Sequence, residues 1–164
     1  MASTYTPIAS QTLTTTAANI EFTNIPGTYT DLVLILWFDK TQADTGSFFR
    51  VNGDTGSNYS TTDVRGNGST AGSGRDSSQT VGRYFRGLTN AASNNLAIIQ
   101  FMSYANTNVY KTILTAGAIP SVGVERNVNL WRSTSAITSI DIRTNTSTYA
   151  SGTTVALYGI KAAA

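Results

Sequence analysis

Nine carboxylates and eleven Lys or Arg side chains are spread through this 164-residue chain, which holds neither histidine nor cysteine. The lack of histidine removes the commonest general base and the commonest transition-metal ligand. The lack of cysteine removes thiolate nucleophiles, thiolate metal sites and disulfides. A Ser-His-Asp triad is therefore excluded, and no Ser-x-x-Lys spacing occurs. Two carboxylates facing each other across a cleft would suit glycoside hydrolysis, but no pair is set apart by its neighbours. They read as solvated turn residues, and no catalytic residue is expected. Asn52-Gly53-Asp54-Thr55-Gly56-Ser57-Asn58 gathers oxygen ligands in a tight turn, yet it lacks the ligand pattern and terminal Glu of a calcium loop. Gly66-Asn67-Gly68-Ser69-Thr70-Ala71-Gly72 is glycine-rich without the Gly-Lys-Ser/Thr ending that binds phosphate. Neither a metal nor a cofactor is expected.

The aromatic residues are the better candidates. Arg83, Tyr84, Phe85 and Arg86 are where arginines and aromatics interleave, a composition favoured at protein interfaces. Trp37 and Trp131 lie in strand-like runs, suited to core or subunit contact more than to a sugar platform. The candidate interface residues are thus Arg83, Tyr84, Arg86, Trp37 and Trp131.

The elements that position these residues read as strands. The longest apolar run, within residues 30–38, is rich in β-branched and aromatic residues and follows a Pro-Gly turn. It is too short to span a membrane. Apolar on both pleat faces, it belongs centrally, one face on the core and the other covered by a second layer, a loop or a neighbouring subunit. Residues 1–10 read as an N-terminal arm or edge strand, because Pro7 cannot donate to a ladder. Alternating or apolar runs follow at 19–25, 47–51, 80–88, 96–104, 110–118, 122–124, 128–131, 137–142 and 154–160. Residues 57–79, nearly free of large apolar side chains, read as a long Gly/Ser-rich loop with a short helical turn near 59–64. About ten short strands with Gly- and Asn-rich turns point to an all-β, single-domain antiparallel β-sandwich over 1–164, jelly-roll-like.

Composition agrees. Charged residues make up 12% and apolar ones 40% of the chain, enough for a core, and the net charge is only +2. Basic residues form no stripe, so neither nucleic acid nor a membrane is an expected partner. The N-terminus lacks a basic segment followed by an apolar one, so no signal peptide is expected.

Five phrases occur in order: Ile25-Pro26-Gly27-Thr28-Tyr29-Thr30-Asp31-Leu32-Val33-Leu34; Asn52-Gly53-Asp54-Thr55-Gly56-Ser57-Asn58-Tyr59-Ser60; Gly66-Asn67-Gly68-Ser69; Leu130-Trp131-Arg132-Ser133-Thr134-Ser135-Ala136-Ile137-Thr138-Ser139-Ile140; and Ser151-Gly152-Thr153-Thr154-Val155-Ala156-Leu157-Tyr158-Gly159-Ile160-Lys161. Together they resemble a family of virion structural proteins of tailed bacteriophages. The resemblance covers nearly the whole chain and implies a β-sandwich component of the particle, with no catalytic residues to carry over; the lack of a signal peptide points to synthesis in the host cytoplasm. With no shaft repeat or coiled-coil heptad before the domain, the expected role is a non-enzymatic capsid decoration (cement) protein. Such a protein binds the major capsid protein as a homotrimer and stabilises capsomer joints. The alternative is a tail-associated adhesin that binds host surface glycan. Its mark would be an exposed Trp or Tyr flanked by Asn and Asp at one end of the sandwich.

Overall fold

The computed structural model describes residues 4–90 and 94–161. Among them the chain forms twelve strands and no helix: β1 (Tyr5–Thr12), β2 (Asn19–Phe22), β3 (Asp31–Phe38), β4 (Asp44–Val51), β5 (Tyr59–Gly66), β6 (Ala71–Gln79), β7 (Gly82–Asn90), β8 (Asn95–Phe101), β9 (Lys111–Ile119), β10 (Gly123–Trp131), β11 (Ile140–Thr144) and β12 (Thr154–Ile160). They make two antiparallel sheets. One has eight strands in the order β1-β12-β3-β8-β9-β10-β5-β6, the other four in the order β2-β11-β4-β7. The all-β sandwich expected from the sequence is present. Its division into eight and four strands differs from the eight-strand, double Greek-key jelly roll.

The apolar run forms β3, third in the large sheet, between β12 and β8. Its inward residues Leu32, Leu34, Leu36 and Phe38 are buried. They sit in register with Phe101, Ile99, Ala97 and Asn95 of β8. From the small sheet, Phe49 and Val51 of β4, Ile140 and Ile142 of β11 and Phe22 of β2 close the core. Aromatic rings pack edge to face within the core. Phe49 meets Phe101 at 5.7 Å, and Phe38 meets Tyr149 at 5.8 Å, the geometry that sets a ring's positive edge on its partner's negative face.

Several boundaries differ from the sequence reading. Residues 57–79 are a hairpin, β5 and β6, and not a loop with a helical turn. Asn67 Oδ1 accepts the Ser69 and Thr70 amides and the Thr70 hydroxyl, so side-chain hydrogen bonding closes the turn. The two short runs at 122–124 and 128–131 are one strand, β10, and the alternating run at 137–142 becomes regular only from Ile140. The N-terminal segment pairs with β12 as an edge strand, with a register shift between Pro7 and Ala9. Its first three residues lie outside the described residues.

β10 is inverted relative to a normal half-buried strand. Its inward positions are Glu125, Asn127, Asn129 and Trp131, all buried, while Val124 and Val128 face outward and are exposed. β7 explains the inversion. It pairs with β4 on one side and lies over β10, where no strand among the described residues pairs with its other edge. The inward side chains of β10 take the place of that missing strand. Asn129 accepts from the Arg83 amide at 2.8 Å and donates to the Arg83 carbonyl at 2.9 Å. Asn127 donates to the Tyr84 carbonyl at 3.2 Å. Glu125 accepts from the amides of Arg86, Gly87 and Leu88. Backbone groups buried between layers must find partners, and here side chains supply them.

Candidate interaction face

β7 carries three of the five candidate interface residues, and the structure ties them into the chain itself. Tyr84 is buried, its hydroxyl 2.6 Å from that of Tyr149, and burial raises its phenol pKa. Arg86 grips Asp76 in a bidentate pair at 2.7 and 2.8 Å and reaches Asp63 at 3.0 Å. The Arg86 hydrogen bond holds the Asp76 carboxyl below the ordinary carboxylate range. Arg83 Nε lies 3.4 Å from Asp76 Oδ2, an ion pair without hydrogen-bond geometry. Arg65 also pairs with Asp63. The arginine–aromatic interleaving thus fastens the β5–β6 hairpin to β7.

Trp131 is buried, and its indole N–H donates to Asp54 Oδ2 at 2.6 Å. The other groups on that carboxylate are the Gly56 amide and the Asn58 carboxamide. Burial opposes ionisation of Asp54, but these donors prevail and lower its pKa. The turn that resembled a calcium loop thus meets its carboxylate with donors from its own chain.

Trp37 is different. It faces outward from β3 and is 64% exposed, opposite Thr154 of β12 and Leu96 of β8. It belongs to a broad apolar surface on the outer side of the eight-stranded sheet. Register places Ile35, Ile98, Ala116, Arg126 and Val64 in one row across that surface. Gln100, Leu114, Val128 and Thr62 form the next row. Val124, Val64 and Val128 are 60%, 59% and 53% exposed. Ala116 and Ala118 floor a trough of about 500 Å³ walled by Leu96, Ile98, Val124 and Arg126. Arg126 stands among these residues and forms no ion pair among the described residues. The outward positions of β8, β9, β10 and β5 carry no Asp or Glu. The side of β3 away from the core, for which the sequence called for a cover, has no second sheet over it among the described residues; Val33 is buried there and Trp37 is exposed.

A second trough, about 580 Å³, opens at the end of the sheet where β3 stops and β8 and β12 begin. Trp37, Tyr158, Ile35 and Ala156 line it, with Asp39, Asn94 and Ser151 on its rim. Asp39 Oδ1 accepts the Asn94 amide at 2.6 Å.

Sequence reading pointed to Trp37 but passed over Val64, Ile98, Leu114, Val124 and Val128. An alternating strand shows which residues share a face and leaves open which face meets the core. The polar inward set of β10 reversed the usual assignment. No family model, curated protein or solved structure matches the chain.

Proposed function

We propose that this chain is a non-enzymatic structural protein of a tailed-phage particle, a capsid decoration protein. It sets the outer face of its eight-stranded sheet against the major capsid protein. The observation that carries the reading is the apolar surface on β8, β9, β10 and β5, left bare by a chain that has a complete core elsewhere. Contiguous exposed apolar surface of this kind marks interaction sites in soluble proteins. The resemblance of the five sequence phrases to phage virion proteins supports the particle context.

Charge favours a different protein over a face-to-face dimer. A two-fold contact with its axis near Arg126 would set Arg126 against its own copy with no outward carboxylate between them, so the complementary surface proposed is apolar with an acidic residue opposite Arg126. Three copies around a three-fold axis would add their contacts, so a modest single-site affinity suffices.

Co-sedimentation with heads assembled from the phage's major capsid protein tests the reading. The chain is expected to pellet with heads, and the double variant Val124→Glu/Val128→Glu to stay in the supernatant with an unchanged circular dichroism spectrum. Equal pelleting of the variant would overturn the assigned face.

A further inference from the structure

The trough at Trp37 has a different character from the surface beside it. An aromatic ring stands towards each end, Trp37 opposite Thr154 and Tyr158 opposite Val33, with Ile35 and the small Ala156 between them. Four residues separate Thr154 from Tyr158 along β12, about 14 Å at 3.4 Å per residue. Tyr158 is braced by Tyr5, whose ring meets it edge-on at 6.1 Å. On the rim, Asp39 Oδ1 is engaged by the Asn94 amide. Asp39 Oδ2 and the Asn94 carboxamide have no partner among the described residues, and no Lys or Arg lines the trough.

We propose that this trough binds a neutral oligosaccharide, at least a disaccharide in length. A pyranose presents a face of C–H groups with hydroxyls around its edge. The C–H face suits an exposed indole, while vicinal hydroxyls suit an acceptor-only carboxylate beside a carboxamide that both donates and accepts. The trough volume lies within the range of small-molecule sites. Asp39 is the one acidic residue among the described lining residues and disfavours phosphate, sulfate and carboxylate groups, so neutral sugars suit the trough better than anionic ones. A wholly apolar occupant such as a lipid chain would strip water from Asp39 without replacing its hydrogen bonds. This inference rests on Trp37, Asp39, Asn94 and β12, whereas the capsid-docking reading rests on β8, β9, β10 and β5 and meets the trough only at Ile35 and Trp37, so either stands if the other fails.

Intrinsic fluorescence and saturation-transfer NMR of the full chain provide the test. The probes are cellotriose, maltotriose, chitotriose and β-galactotriose as neutral oligosaccharides, with sialyllactose and a heparin fragment as anionic ones. At least one neutral probe is expected to give a saturable shift of Trp37 emission and a Kd near about 1 mM. Trp37→Ala and Asp39→Ala, both at exposed positions, are each expected to weaken it at least about tenfold, with the thermal midpoint unchanged in Trp37→Ala and lowered in Asp39→Ala by loss of the bond to the Asn94 amide. The proposal is overturned if no neutral probe binds at about 10 mM, if the anionic probes bind more tightly, or if Trp37→Ala binds as well as the parent chain.

Discussion

Glu125 Oε1 accepts the backbone N–H of Arg86 at 2.6 Å, and its second oxygen accepts those of Gly87 and Leu88 at 3.1 and 3.2 Å. One buried carboxylate thereby completes the open edge of β7 and joins the small sheet to the large one. Glu125→Gln puts an amide N–H₂ against amide donors and is expected to cost about 2 kcal/mol, and Glu125→Ala about 3 kcal/mol or more. Urea unfolding measures both. Midpoints equal to the parent's would show that β7 does not depend on β10 for its edge.

Lys40 gives the chain a pH dependence whose sign follows from its burial. Its ammonium donates to Ser47 at 2.9 Å and faces Asp44 at 3.4 Å. Desolvation, only partly offset by Asp44, lowers its pKa from 10.5 to about 8. Between those values the unfolded chain holds a proton that the folded chain has released, so stability rises with pH. Above pH 10 the sign reverses, because burial pushes the Tyr59 phenol up to about 12 and the unfolded chain ionises first. The urea midpoint is therefore expected to climb from pH 8 and turn over near pH 10. In Lys40→Met the climb should shrink to the part contributed by Lys111, whose pKa burial also lowers, while the later fall remains.

Asp44 shapes the acid limb together with Asp54 and Asp76, whose carboxyl pKa values are also lowered. Burial penalises the Asp44 charge, but Lys40 and the donors of Asn145 and Thr146 outweigh that and hold its pKa below the usual value of 3.8. The stability it contributes is present above that value and is lost as pH falls through its lower folded-state pKa. Asp44→Asn is expected to flatten the acid limb of the same titration. An identical limb would assign acid unfolding to other carboxylates.

Gly117 of β9 lies under the ring of Phe85, where an added Cβ would come within 2.3 Å of ring carbon. Gly117→Ala is expected to cost about 1–3 kcal/mol through overpacking. Gly66→Ala, whose Cβ would meet nothing closer than 3.8 Å, is expected to cost less than about 1 kcal/mol. Thermal unfolding of the two variants, with the order reversed, would contradict the packing of β7 on the large sheet.

The fold was legible where the alternation was ordinary. Residues 30–38 announced a central strand through their unbroken apolar run, and Pro7 marked an edge. The β5–β6 hairpin was hidden because its partners are polar. Asp63 and Arg65 look like loop residues until Arg86, from a distant part of the sequence, is brought against Asp63. The interaction face was hidden for a related reason. Val124 and Val128 are core-like residue types, and only the hydrogen bonds that join Glu125, Asn127 and Asn129 with the β7 backbone show that their strand is turned over. Trp37 and Trp131 looked alike in the sequence. Acrylamide should quench the emission of Trp131→Phe, which keeps Trp37, much more strongly than that of Trp37→Phe, which keeps Trp131.

The most direct test of the docking proposal is to locate the chain in a cryo-electron microscopy map of purified particles. Density repeated across the capsid lattice at local three-fold axes or capsomer joints is the expected result, with the outer face of the eight-stranded sheet turned to the major capsid protein and an acidic residue opposite Arg126. Density confined to the tail, or a chain on the capsid with Val64, Val124 and Val128 facing solvent, would contradict it.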